Sequence, residues 1–266
     1  RLVGVRPGKR KENKMDELTE PIDILMTTYY RLDFTKQVMH NILDRTKCPN
    51  YRLIIVDNGS MDGTKEYLQR LKIRYPITVK QIKLLDKNYG LQAAKNIGME
   101  YVTSKYFVNT DNDCLCPKLN PDWITQLYNL MQSFPDFAAI ALRPQTLVGV
   151  GPIFKDAPEV VSNNVAGGSF RMMRTDLVKK VGGWTDDFEN RQEEWNICTK
   201  LKNEGYKVGY ARDIFCYHMF GTAAGGLGNW GYAKEINHYH NPKSEIYARD
   251  SEYNPETCEP RIRNNE

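Results

Sequence analysis

The sequence predicts an α/β fold: a mostly parallel central sheet flanked by helices. Three observations carry that expectation. Short apolar runs alternate with helical stretches of about a dozen residues, the pattern of βαβ units. Polar residues fall just past the end of each early apolar run: Thr27 and Tyr29, then Asp57, Asn88, and Asp111 with Asp113. The chain has 266 residues, 41% hydrophobic and 26% charged, enough for one large domain with a real core.

Composition excludes several classes. The net charge is +4, from 37 basic and 33 acidic residues, too mild to argue for nucleic acid as a partner. No apolar run reaches the roughly 18 residues that a membrane span needs. Residues 1–20 are polar with clustered Lys and Arg; they read as a flexible lead-in without a signal-peptide pattern, and their charge is where a peripheral membrane contact would form. The six cysteines follow no disulfide framework, which predicts reduced thiols and a cytoplasmic location, and Cys114-x-Cys116 lacks the spacing of a zinc or redox pair. The chain opens on Arg1 rather than Met, which predicts a processed chain or a piece of a longer one.

The elements follow in order. Residues 22–26 read as a strand ending at Thr27-Thr28-Tyr29, and 33–45 as a helix with Phe34, Val38 and Ile42 along one face. A second strand, 51–56, ends at Asp57, before a turn cluster at 58–64 and a helix carrying Tyr67, Leu68 and Leu71. Strand 77–85 runs into Asn88-Tyr89-Gly90, helix 91–101 follows, and strand 106–109 leads to Asp111-Asn112-Asp113. Then come helix 121–131 and strand 137–142. Residues 143–166 lack a period and read as a long loop. Gly167 and Gly168 permit close approach of backbone to a ligand. Thr175 is placed to cap a short helix over 175–181, ahead of Gly182-Gly183-Trp184. Trp184 suits either a sugar-stacking surface or the core.

Residues 191–204 read as a helix with Glu193 and Glu194 in its first turn and Gly205 ending it. Its positive end favours ionised carboxylates there. Successive helical positions point about 100° apart, so the two cannot aim inward equally. Short strands are expected at 208–211 and 214–217, the second closed by His218. Residues 221–266 read as a loop-rich extension in which His238 and His240 are surface histidines.

In open α/β sheets ligands bind outside the carboxyl ends of the strands, so the polar residues at the four strand ends should converge. Two carboxylates two residues apart, Asp111 and Asp113, suit a hard divalent cation, Mn²⁺ or Mg²⁺, although Asp and Asn there serve equally as turn formers. The segment after the first strand, TTYYRLD, has no glycine, which excludes a dinucleotide fingerprint, and no GxxxxGK[ST] phosphate loop occurs.

These residues resemble a family. ILMTTYYR, VDNGSMDGT (residues 56–64), NYGLQAAKNIGM (88–99), the DND triplet, GGSF, GGW and EEWNICTKLKNEGYKV (193–208) together are similar to the GT-A glycosyltransferases, specifically the inverting family 2 group. The likeness runs from about residue 21 to 221. It implies a GT-A catalytic domain over 21–220, with a nucleotide-binding half (21–113) and an acceptor-side half (114–220). It implies a nucleotide-sugar donor, commonly a UDP-sugar, and an acceptor that is a glycan, a lipid-linked sugar or a protein. Asp57 would hold the base with Thr27 and Tyr29 beside it. Asn88, Gly90, Lys95 and Asn112 would line the donor site. Asp111 would face ribose and metal, Asp113 would bind the metal, and His218 would add a ligand. Glu194, standing where the family commonly has Asp, would be the general base, with Glu193 beside it. The competing expectation is a non-catalytic sugar-nucleotide or glycan binding module.

Overall fold

The computed structural model describes residues 18, 20–144, 157–185 and 193–219. The lead-in, most of the expected loop over 143–166, the extension over 221–266 with its two histidines, and Cys258 lie outside the described residues.

The first half is a parallel sheet with helical crossovers. Strand β1 (Ile22–Thr28) pairs in parallel with β2 (Tyr51–Asp57) and β4 (Tyr106–Asp111), and β2 pairs in parallel with β3 (Val79–Leu84). Every residue of β1 is buried, as expected of a strand covered on both faces. Alternation along it sorts the core. Ile24 and Met26 point to the layer of helices α1 (Leu32–Arg45), α2 (Thr64–Arg74) and α4 (Trp123–Ser133), whereas Leu25 points to the layer of α3 (Leu91–Met99), α5 (Thr175–Lys180) and α6 (Glu193–Asn203).

The second half is mixed. Strand β8 (Arg171–Arg174) runs antiparallel between β4 and β6 (Phe137–Pro144), and β6 pairs in parallel with β9 (Lys207–His218). Two short strands, β5 (Cys114–Leu115) and β7 (Val160–Asn163), pair antiparallel with β9. Among the described residues the sheet has nine strands, ordered β3-β2-β1-β4-β8-β6-β9-β5, with β7 beside β9.

Three local expectations need correction. Residues 160–163, expected in a loop, form β7, because β9 offers them a backbone ladder that no hydrophobic alternation announces. The two strands expected at 208–211 and 214–217 are one strand. Register jumps from Ala141↔Tyr210 to Arg143↔Phe215, so Arg212 and Asp213 occupy a bulge and pair with each other rather than ending the strand. Thr175 is the first residue of α5 rather than its cap; the cap position is Arg174, and the Thr175 hydroxyl makes no hydrogen bond.

Candidate active site

The loops at the carboxyl ends of β1, β2 and β4 meet. Asp57 ends β2 and is fully buried; its Oδ2 accepts from the Ser60 amide at 3.0 Å, and its Oδ1 has no hydrogen-bond partner. Burial pushes its carboxyl above the ordinary value, against the pull of the Ser60 contacts. Gly59 has φ +88°, and a Cβ there would sit 2.4 Å from the Lys87 carbonyl carbon, so only glycine lets this loop lie against residues 87–90. The two loops are stitched together: Asn58 Nδ2 donates to Asn88 Oδ1 at 2.8 Å, the Tyr89 amide to Asn58 Oδ1 at 2.9 Å, and the Gly90 amide to Asn88 Oδ1 at 2.8 Å. Thr27, at the end of β1, keeps a buried hydroxyl without a hydrogen-bond partner. Tyr29 is half-buried, edge-on to Tyr30.

Tyr30 and Arg31 both adopt left-handed backbone, φ 53° and 60°. The Tyr30 amide donates to Ser60 Oγ at 2.7 Å and the Leu32 amide to Asp62 Oδ2 at 3.0 Å, which holds this bend. The bend delivers the Arg31 guanidinium to Asp113 Oδ2, 2.9 Å away. Asp113 Oδ1 lies 3.5 Å from His218 Nε2. Pairing of β5 with β9 sets this second contact, since Cys114 is in register with His218. Asp113 is pushed up by burial, but His218 and Arg31 outweigh that and hold it below the ordinary carboxylate value. Asn112, between the two aspartates, turns its amide inward to Thr28 Oγ1 at 3.0 Å and Thr35 Oγ1 at 3.1 Å.

Asp111 faces another way. Its Oδ1 lies 3.3 Å from Lys95 Nζ, and Lys95 Nζ lies 3.2 Å from Glu193 Oε2. Glu193 Oε1 accepts from the Arg171 guanidinium and from the Trp184 indole N–H. Trp184 is 2% exposed, so it belongs to the core and is not an open stacking surface. Of the two glutamates Glu193 is the inward one, 2% exposed, and Glu194 is half-buried. The expectation that the helix end keeps Glu194 readily ionised needs correction: burial and then the Glu193 charge push its carboxyl up. Gly168 closes the arrangement. A Cβ there would stand 2.9 Å from Asp111 Oδ2, 3.5 Å from Glu194 Oε1 and 3.6 Å from Glu193 Oε2. A residue without a side chain thus faces three carboxylates.

One place suits a divalent ion. Donor atoms of Asp113, Cys114 and His218 lie within 4.8 Å of one another. Burial raises the Cys114 thiol well above its ordinary value, so it stays protonated and is no ligand. The remaining carboxylate and imidazole fit Mn²⁺ better than Mg²⁺, which favours oxygen throughout. Two of the residues that build this region were absent from the expected set. Arg31 was legible as the arginine closing TTYYR; Arg171 gave no signal, because an arginine beside Met172 and Met173 looks like a surface position.

The sequence profile described as Glycosyl transferase family 2 matches residues 23–182. The chain belongs to that family, and its fold is that of the GT-A glycosyltransferases. It is 24% identical over 238 residues to a poly-beta-1,6-N-acetyl-D-glucosamine synthase of Staphylococcus aureus, covering 83% of this chain and 55% of that protein. The chain therefore spans about half the length of the curated relatives it matches. Among solved structures it is similar to the mannosyltransferase PcManGT of Pyrobaculum calidifontis in complex with GDP-Man and Mn²⁺, with TM-score 0.64, 18% identity, and 77% of this chain and 58% of that one covered. It is also similar to TarS 1–349 of S. aureus in complex with UDP-GlcNAc, with TM-score 0.58, 14% identity, and 74% and 58% coverage. No helix among the described residues is long and apolar enough to cross a membrane.

Proposed function

We propose that this chain transfers a sugar from a nucleoside diphosphate donor, a UDP-sugar first, to an acceptor hydroxyl with inversion at the anomeric carbon. One observation carries this reading. At the carboxyl edge of the sheet a half-buried glutamate, Glu194, stands across Gly168 from Asp111, with its neighbour Glu193 fully engaged. Only one of the two glutamates is left to act on a substrate, which suits a single displacement by a general base.

Glu194 takes the proton of the acceptor hydroxyl. The hydroxyl oxygen bonds to the anomeric carbon as the bond from that carbon to the diphosphate breaks, and the nucleoside diphosphate leaves. A raised carboxyl pKa makes Glu194 a stronger base than an ordinary glutamate. Asp57 Oδ1, an acceptor without a partner, is suited to a base N–H of the nucleotide, with Thr27 and Tyr29 alongside and Asn88 and Gly90 bordering. Asp111 would face the ribose. Asp113 and His218 would hold the cation, which when bound supplies positive charge against the leaving diphosphate. Residues 21–113 would thus serve the donor and 114–220 the acceptor.

The relative named as an N-acetylglucosamine polymer synthase, and the similarity to TarS with UDP-GlcNAc, support a UDP-sugar; PcManGT with GDP-Man makes GDP-sugars the comparison. The test is a panel of UDP- and GDP-sugars with Mn²⁺, read as nucleotide release and as the anomeric configuration of the product by NMR. Asp113→Ala is expected to abolish metal-dependent turnover. A product that retains the donor's configuration, or full turnover by Asp113→Ala, overturns the reading.

A further inference from the structure

The family likeness places Lys95 near the base or phosphates of a donor, yet the structure buries it. Its side chain is fully inaccessible, on a helix packed behind β1 and β2. Its ammonium lies 3.3 Å from Asp111 Oδ1 and 3.2 Å from Glu193 Oε2, with the Trp184 ring 5.8 Å away. Those two carboxylate oxygens have no hydrogen-bond partner of their own. The other oxygen of each is spoken for: Glu193 Oε1 by Arg171 and Trp184, and Asp111 Oδ2 by the space at Gly168.

We propose that Lys95 is a positioning residue that does not meet the donor: it locks the Asp111 carboxylate on β4 to the Glu193 carboxylate on α6, and so fixes where Glu194 stands relative to the donor edge. This rests on the transferase reading above and deepens it. The physical reason is the balance of buried charge. Without the ammonium, Asp111 and Glu193 are like charges across a gap that excludes water, and they repel. Arg171 still anchors Glu193 to β8, so the strain falls on Asp111 and on the first turn of α6. Glu194 is the next residue along that turn. A displacement of about 1 Å between base and donor costs on the order of 100-fold in rate.

Two measurements test this. In the first, the wild-type chain is treated with a small amine-acylating reagent, with and without UDP and Mn²⁺, and lysine modification is read by mass spectrometry. A buried clamp leaves Lys95 unmodified in both; modification that UDP suppresses overturns the proposal. In the second, Lys95→Met and Glu193→Gln are combined in a double-mutant cycle. Lys95→Met is expected to lower kcat by about 100-fold while UDP affinity changes less than about threefold. The double variant should lose little more than the worse single one, because both act on one contact. Independent, multiplying losses, or a loss carried by UDP affinity, overturn the clamp while the transferase reading stands. A wild-type chain that turns over no donor overturns that reading and the proposal with it. The labelling arm needs no variant, so it decides the matter even where Lys95→Met does not fold.

Discussion

Two buried clusters of charge sit at opposite ends of the same parallel strands. At the amino end of β1, Asp23 is fully buried and both its oxygens are filled. Oδ1 accepts from Arg52 Nε at 2.8 Å, Oδ2 from the Thr103 and Ser104 amides at 2.8 and 3.0 Å, and Lys80 Nζ lies 3.2 Å from Oδ2. At the carboxyl end, Asp111, Lys95, Glu193, Arg171 and Glu194 crowd together, and Asp111 Oδ1, Lys95 Nζ and Glu193 Oε2 make no hydrogen bond. The first cluster is closed: it ties the start of β1 to β2, β3 and the turn before β4. The second is open and faces a glycine. Buried polar groups ordinarily find partners. The end where they do not is the end where a ligand completes the set.

The contrast can be broken in a definite order. Glu194→Gln should lower transfer by about 10³-fold with nucleotide affinity intact, since it removes the base and no part of the packing. Single-turnover kinetics beside UDP titration measures both; transfer at the normal rate would make Glu194 a bystander. Asp23→Asn should do the reverse, costing about 3–5 kcal/mol of unfolding free energy because it strands two cations, while the folded fraction keeps its kcat. Urea denaturation with activity measured on the surviving fraction checks this. Gly168→Ala should cost about 10- to 100-fold in kcat, because the added methyl forces Asp111 aside, and UDP binding at Asp57 should survive it. Arg52→Met should cost only about 1 kcal/mol, since Lys80 stays on Asp23.

The pH dependence sharpens the same contrast. Burial raises Asp23, but the Thr103 and Ser104 amides, Lys80 and Arg52 together hold its carboxyl below the ordinary value. Its contribution to stability is therefore complete above the ordinary carboxylate pKa and is lost as pH falls through the lowered one. Glu194 is shifted the other way, and a base works only when ionised. On acidification transfer should fail first, at a pH above the usual glutamate range, and the fold only later. A pH profile of kcat set against circular dichroism decides it; simultaneous loss would refute the assignment of the two clusters.

Legibility in the sequence followed the strength of periodicity. α1, α3 and α4 declare themselves through buried residues at helical spacing, and Asp57 and Asp111 through their place after apolar runs. β7 and β8, four residues each, carry no alternation of their own and exist because neighbouring strands pair with them. β9 was broken in two by Arg212 and Asp213, since a charged pair in a bulge has the composition of a loop. At the site, residue types were readable but contacts were not. A lysine on an amphipathic helix looks solvated, and only the fold shows that Asp111 and Glu193 close over Lys95.

The left-handed bend at Tyr30 and Arg31 carries a cost of its own. L-residues pay roughly 1–2 kcal/mol each for that conformation, where glycine pays little. A chain tuned only for durability would gain by placing Gly at position 30. Such a variant should melt at a higher temperature while letting the guanidinium of Arg31 wander from Asp113, so robustness and alignment pull against each other at this corner.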